Sequence, residues 1–196
     1  MYDQSFNRRT LERMLQKGDF LHIPKASHDT FKSQNVTKAE AAALSKFGAP
    51  LNPLSSFPLK NKTVFHAPQL ENELVIRKLS FNLKKLFKSR NRGRSSIVKS
   101  LSLLLEEGIP MRVYRLDVQS FYESFQDAEV KSKIDSLAEL SPHSKTLLHS
   151  LLVNHKSLGG TGVPRGLSLS ATLSDLMMEE FDHQIFSSDG VYFYAR

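Results

Sequence analysis

Between Met111 and Phe125 the chain reads MRVYRLDVQSFYESF, and apolar and polar positions alternate along its first half. In an extended chain Tyr114, Leu116 and Val118 fall on one face, and Val113, Arg115 and Asp117 fall on the other. The alternation predicts a strand that leaves its carboxylate, Asp117, just before a tight aromatic turn at Phe121 and Tyr122. One face can pack on helices while the other looks into a cleft. A carboxylate emerging from a buried strand into a cleft suits a hard cation. Asp is also common in turns, and this stretch alone leaves both readings open.

Around this strand the periodicity is mostly helical. Asn7 to Gln16 places Leu11, Met14 and Leu15 on one side of a short helix stopped by Gly18. Asp19 to Asn35 reads as loop. Thr37-Lys38-Ala39-Glu40 is a capping-box pattern for a helix over Ala41–Phe47, with Gly48 and Pro50 beyond it. Leu51 to Pro58 reads as a connector, and Lys60 to Ala67 as a strand closed by Pro68. Leu70 to Phe87 carries Leu74, Val75, Leu79, Leu83 and Leu86 at helical spacing. After a basic loop from Lys88 to Arg94, Ser95 or Ser96 caps a helix with a stripe of Ile97, Val98, Leu101, Leu104 and Leu105. Asp127 caps a helix with Val130, Ile134 and Leu137 inward. Ser141-Pro142 is an N-cap with proline at the first helical position, ahead of Leu147, Leu148, Leu151 and Leu152. Lys156 to Gly162 is a glycine-rich loop. Leu167 to Phe186 reads as one long helix with Leu169, Leu173, Leu176, Met177 and Phe181 buried, and Val191 to Ala195 as the start of another strand. The order suits an α+β fold with helices packed on one face of a small antiparallel sheet.

Charge narrows the choice of partner. The 196 residues carry a formal net charge of +7, which favours a polyanion. Nine basic residues and no acidic one lie between Arg77 and Leu105. A solvated helix face usually mixes signs, so Arg77, Lys78, Arg90, Arg92 and Arg94 are candidate contacts to a phosphate backbone. There are no cysteines, which excludes disulfides and Cys-ligated metals and suits a reducing cytoplasm. No apolar run approaches the length of a membrane helix, so no membrane partner is expected. His143, His149 and His155 are six apart, not the i, i+4 spacing that sets two imidazoles on one helix face.

Two stretches then fall into one pattern. RLDVQSFYESF resembles the first carboxylate motif of reverse transcriptases, an Asp followed five residues later by Phe or Tyr. GVPRGLSLSATLSDLMMEEFD, from Gly162 to Asp182, resembles the next motif of that family, a Gly-x-Pro-x-Gly turn followed by Ser and a helix. Upstream, Arg90 to Leu101 is similar to the basic entry to the fingers–palm helix of bacterial retron and group II intron enzymes, and Lys62 to Pro68 to their fingers strand. The resemblance covers roughly Lys60 to Arg196. It implies right-hand polymerase fingers and a partial palm, with a helical extension over 1–58, fingers over 59–110 and palm over 111–196.

The resemblance also implies roles. RNA-directed DNA synthesis joins a nucleotide to a primer 3′-hydroxyl with two Mg²⁺ ions about 4 Å apart. Asp117 would be the catalytic carboxylate holding both, with the Val118 carbonyl as a further ligand. Phe121 and Tyr122 would meet the nucleotide, Tyr122 as the gate that rejects a ribose 2′-hydroxyl. Lys62, Arg165 and Gly166 would line the nucleotide site. The partners implied are an RNA template, a nucleic-acid primer and deoxynucleoside triphosphates, with an associated non-coding RNA or partner protein in some systems.

Two departures stand out. Arg165 replaces the usual glutamine and cannot accept a hydrogen bond. Lys62 replaces an Arg and loses its bidentate fork. The Arg165 form, with LSLSATLS behind it, looks most like the reverse transcriptases of bacterial antiviral defence and abortive infection. The family's third motif, Tyr-x-Asp-Asp, would follow a strand such as VYFYAR, so the reading expects a chain that stops before the remaining metal carboxylates and the thumb, and is inactive by itself. The competing expectation is a non-catalytic RNA-binding or assembly module on a polymerase scaffold.

Overall fold

The structure, a computed structural model, describes residues 2–48, 52–86, 93–108 and 110–196. Among these the chain is α+β, with eight helices and a small antiparallel two-stranded sheet. The helices are α1 (Arg8–Glu12), α2 (His28–Leu44), α3 (Leu70–Leu86), α4 (Arg94–Glu106), α5 (Asp127–Ser136), α6 (Pro142–Ser157), α7 (Ser170–Met177) and α8 (Glu179–Phe186). The strands are β1 (Ser55–Leu59) and β2 (Lys62–His66).

The axis of the core is α3. Leu74, Val75, Ile76, Leu79 and Leu83 are all buried along it. They meet Leu11 of α1, Val36, Ala39 and Ala43 of α2, Leu147, Leu148 and Leu151 of α6, and Leu173 of α7 in one continuous cluster. Polar Asn72, Lys78, Ser80 and Asn82 are buried on the same helix, so α3 is covered on more than its apolar stripe.

A short N-terminal strap crosses this helix. The Lys78 ammonium donates to the Asp3 carbonyl at 2.7 Å, Asn82 Nδ2 donates to the Gln4 carbonyl at 3.0 Å, and the Tyr2 hydroxyl donates to the Asn82 carbonyl at 2.6 Å. Gln4 then reaches the α5–α6 turn, donating to the Glu139 carbonyl at 2.7 Å and accepting from the Ser141 amide at 2.8 Å. Phe6 seals the strap into the core.

Several expected boundaries move. The region read as loop from Asp19 to Asn35 contains the first part of α2, and Thr37 is inside that helix rather than at its cap. Its hydroxyl donates to the Ser33 carbonyl at 2.9 Å, and Asn35 Nδ2 donates to the Phe31 carbonyl at 2.8 Å. Polar side chains bonded to the preceding turn sit in a helix without contributing an apolar signal, and the buried stripe is only Val36, Ala39 and Ala43. The Leu51–Pro58 connector contains most of β1, which pairs with β2 from Ser55↔His66 to Leu59↔Lys62. Lys60 and Asn61, with φ of 47° and 61°, form the two-residue turn between them, the geometry that matches strand twist. The long helix expected over Leu167–Phe186 is two helices, broken at Met178 (ψ −3°). Glu179, Glu180 and Asp182 then supply the acidic first turn of α8, which favours a new N-terminus there. Phe181 is exposed, not buried.

The largest correction concerns the alternating stretch. Met111–Val118 forms no strand, and all of it is exposed, Leu116 at 86% and Tyr114 at 76%. Val191–Ala195 forms no strand either. A strand needs a neighbour to take its amide and carbonyl groups, and among the described residues the only ladder is that between β1 and β2. The helix before it, α4, forms but starts earlier than expected: Gly93 takes the N-cap position, Ser95 and Ser96 lie inside the helix rather than capping it, and none of its residues is buried. The basic loop lies mostly outside the described residues, including Arg90 and Arg92.

Candidate functional site

Three segments distant in sequence close on one cavity of about 260 Å³. The turn and first residues of β2 form one wall, the aromatic turn at 120–125 a second, and the glycine-rich loop after α6 the third. Backbone hydrogen bonds fasten them. The Phe65 amide donates to the Arg165 carbonyl at 2.8 Å, so the loop runs alongside β2. The Val163 amide donates to the Tyr122 carbonyl at 2.9 Å, so it also closes on the aromatic turn.

The glycines permit this closeness. Gly162 has φ +65°, and a Cβ there would meet the Tyr122 carbonyl oxygen and, at 2.8 Å, that of Phe125. Gly166 has φ +100°, and its Cβ would lie 2.5 Å from Val64 Cγ1 and 2.6 Å from the Phe65 carbonyl oxygen. Both positions combine a left-handed backbone with contact to another main chain, which only glycine tolerates. The Gly162 amide donates to Asp127 Oδ1 at 2.8 Å. That bond is the main reason the Asp127 carboxyl is held below its ordinary range, with the Lys156 ammonium at 3.1 Å adding to it. Asp127, expected to cap α5, is instead its first residue, after Gln126 at the N-cap, and its side chain anchors the loop.

His155 closes the floor. It is 2% exposed and meets the Phe65 ring edge-on at 4.3 Å between centroids. The backbone of Gly160 lies so close to the imidazole that a Cβ there would overlap the ring. Burial pushes its pKa down to about 4, so the ring is neutral at physiological pH. His143 and His149 sit elsewhere, against the Ala43 carbonyl and Asp135.

On the cavity wall Arg165 grips Glu123 with both ends of its fork, Nε to Oε1 at 3.0 Å and Nη2 to Oε2 at 2.9 Å. Its guanidinium carbon lies 4.9 Å from the centre of the Tyr122 ring. The hydrogen bond from Arg165 is the first cause of the lowered Glu123 pKa, and Lys62 contributes through its charge. Tyr122 is half-buried and packs on the core and on Phe121, whose ring centre is 5.4 Å away. Lys62 is exposed at the mouth. Of the nucleotide-site residues expected from sequence, Lys62 and Arg165 line the cavity. Tyr122 lies behind Arg165, Phe121 meets Tyr122 edge-on, and Gly166 fits the loop to β2. Glu123 gave no sequence signal; its importance follows only from the fold.

The other expected residues do not join this group. Asp117 and Val118 lie on the exposed, unpaired stretch before the aromatic turn, outside the cavity lining. Among the described residues there is no cluster of three or more His, Asp or Glu side chains able to hold a metal ion. The residues present therefore do not fit a two-Mg²⁺ centre, and Asp117 is a lone carboxylate. Asp175 and Asp182 both accept from Arg196, at 3.1 Å and 2.9 Å. The Tyr194 hydroxyl also donates to Asp182, and its pKa is pushed up to about 12, by burial first and by this bond.

Two of the candidate phosphate contacts face inward. Arg77 is bidentate to Asp19 at 2.7 and 3.1 Å and bonded to Glu73 at 3.0 Å. Lys78 is 2% exposed, and burial lowers its pKa. Arg94 is exposed at the start of α4.

Compared with known protein families, characterised proteins and solved structures, the chain matches none. Among the described residues no helix is long and apolar enough to cross a membrane.

Proposed function

We propose that this chain carries the nucleotide-binding side of an RNA-directed DNA polymerase of the reverse-transcriptase type, acting in bacterial defence against phage. One observation supports the reading above others. Three segments that the resemblance names separately, the strand with Lys62, the turn with Tyr122 and the loop with Arg165 and Gly166, meet at one cavity through paired backbone bonds. A cavity with a cation at its mouth and close-packed glycine backbone in its wall suits a nucleotide. The exposed Lys62 ammonium meets phosphate as a point charge. The chain's own part in the chemistry is to bind and orient the nucleotide. Metal-assisted transfer would need carboxylates beyond those described.

The test is primer extension by the full-length protein on an RNA template with a DNA primer, deoxynucleoside triphosphates and Mg²⁺. Extension is expected, and Asp117→Asn is expected to abolish it while RNA binding survives. No extension by the unaltered protein would end the reading.

The isolation of Asp117 among the described residues favours a second reading, a non-catalytic RNA-binding or assembly module that keeps the scaffold. Under it, Asp117→Asn leaves biological activity unchanged.

A further inference from the structure

A second cavity, of about 310 Å³, lies between the last turn of α3, the end of α5 and the junction of α7 with α8. It shares no lining residue with the first. Burial gives it a floor and a mouth. Leu83, Thr172 and Leu176 are buried at the floor, Leu86 and Leu137 are half-buried on the walls, and Glu139 and Glu179 are exposed at the mouth.

The floor holds a polar group without a partner. Thr172 is 3% exposed, and its hydroxyl oxygen is buried with no hydrogen-bond partner among the described residues. A threonine in a helix ordinarily donates its hydroxyl to a carbonyl of the preceding turn. Four residues back, the Ser168 carbonyl accepts from the Ser80 hydroxyl at 3.0 Å instead. A buried hydroxyl left unpaired is costly, so a ligand that pairs with it gains more there than on an open surface. The mouth has the opposite sign to the molecule as a whole. In a chain of net charge +7, it is lined by two carboxylates and by Ser136, the last residue of α5. The carboxyl end of a helix adds partial negative charge. Lys133 pairs with Glu179 at 3.0 Å, whereas Glu139 has no ion pair among the described residues. An apolar cavity of about 150 Å³ takes a benzene ring, so this one has room for a ring and a short chain between its leucines.

We propose that this cavity binds a small amphiphilic amine, with a hydrogen-bonding group at the Thr172 hydroxyl, an apolar body among Leu83, Leu86, Leu137 and Leu176, and an ammonium at Glu139. The proposal does not rest on the polymerase reading. An apolar acid of the same shape would bring like charge to the mouth, and a plain hydrocarbon would leave Thr172 unpaired.

The test uses three probes of similar shape. Tyramine carries all the features, phenethylamine lacks the phenol hydroxyl, and 4-hydroxyphenylacetate has a carboxylate in place of the ammonium. Binding to the unaltered protein is followed on the probe's NMR signals at low salt, without metal or nucleotide. Tyramine is expected to bind with a Kd on the order of 1 mM, as suits a ligand of its size. Phenethylamine is expected to bind about three- to tenfold more weakly, the effect of one hydrogen bond, and 4-hydroxyphenylacetate not measurably. Thr172→Val keeps the shape and removes the hydroxyl. It is expected to erase the difference between the two amines, and to raise the thermal midpoint of the free protein by removing the unpaired group. Glu139→Gln is expected to weaken both amines about threefold. Ala138→Trp, at an exposed position on the rim, obstructs the mouth and is expected to abolish binding; it carries the comparison if Thr172→Val does not fold. Absence of tyramine binding at about ten times the expected Kd would end the proposal. So would equal affinity for tyramine and 4-hydroxyphenylacetate, or tyramine binding that Ala138→Trp leaves intact.

Discussion

His155 shows how one buried ring ties the site to pH. Its unfolded counterpart takes a proton near 6.5, while the folded ring, short of water beneath Gly160 and beside Phe65, refuses it until about pH 4. The unfolded state therefore binds more protons between those values, and stability falls as pH is lowered through that window. The loss attributable to this group is at most about 3 kcal/mol. Urea denaturation at pH 7.5 and pH 4.5 should show a smaller loss for His155→Gln than for the unaltered chain. Equal losses would mean that the ring is not the sensor. At this scale the sequence was partly legible. The glycine-rich loop declares itself through residue type, whereas Lys62 and Arg165 were named only through the resemblance. Glu123 and the loop-anchoring role of Asp127 left no signal, because each is defined by a partner tens of residues away.

The elements divide by what covers them. On α3, Leu79 is wholly buried, whereas Leu116 in the stretch after α4 is 86% exposed. Leu79→Ala should cost about 2–5 kcal/mol in chemical denaturation, and Leu116→Ala no more than about 0.5 kcal/mol. A large cost at Leu116 would show that Met111–Val118 is packed after all. Sequence pattern ranked these two stretches alike, since both carry strong apolar periodicity. Periodicity reports which face could be buried; it does not supply the partner. The helix α3 has α1, α2, α6 and α7 around it, while Met111–Val118 has no ladder among the described residues. The opposite error occurs at α2, where burial rests on Val36 and two alanines and most of the pattern is polar. The strand expected at Lys60–Ala67 and the proline-started helix at Ser141 were legible because their signals, the run Thr63-Val64-Phe65 closed by Pro68 and an N-cap before proline, are local.

For the whole molecule the net charge of +7 overstates what a polyanion can reach. Lys78 is spent on the N-terminal strap and Arg77 on Asp19 and Glu73, whereas Lys62 stands exposed at the cavity mouth. If the chain binds RNA as proposed, Lys62→Ala should lower the salt dependence of binding by about one phosphate contact, and Lys78→Met should leave it unchanged. A shallower slope for Lys78→Met, measured by RNA titration at several salt concentrations, would return that residue to the interface. Total charge is plain in a sequence; its allocation between inside and outside is not.

The strap carries one more consequence, for the order in which the molecule comes together. Tyr2 and Gln4 find their partners on α3 and at the α5–α6 turn, the latter 135 and 137 positions further along. During synthesis Gln4 must wait until Glu139 and Ser141 have left the ribosome before these bonds can close. Contacts this distant slow folding, because the intervening chain gives up its freedom before the bond compensates. The strap is thus made well before it is fastened, and until α6 has emerged the face of α3 that it covers is open to unintended partners.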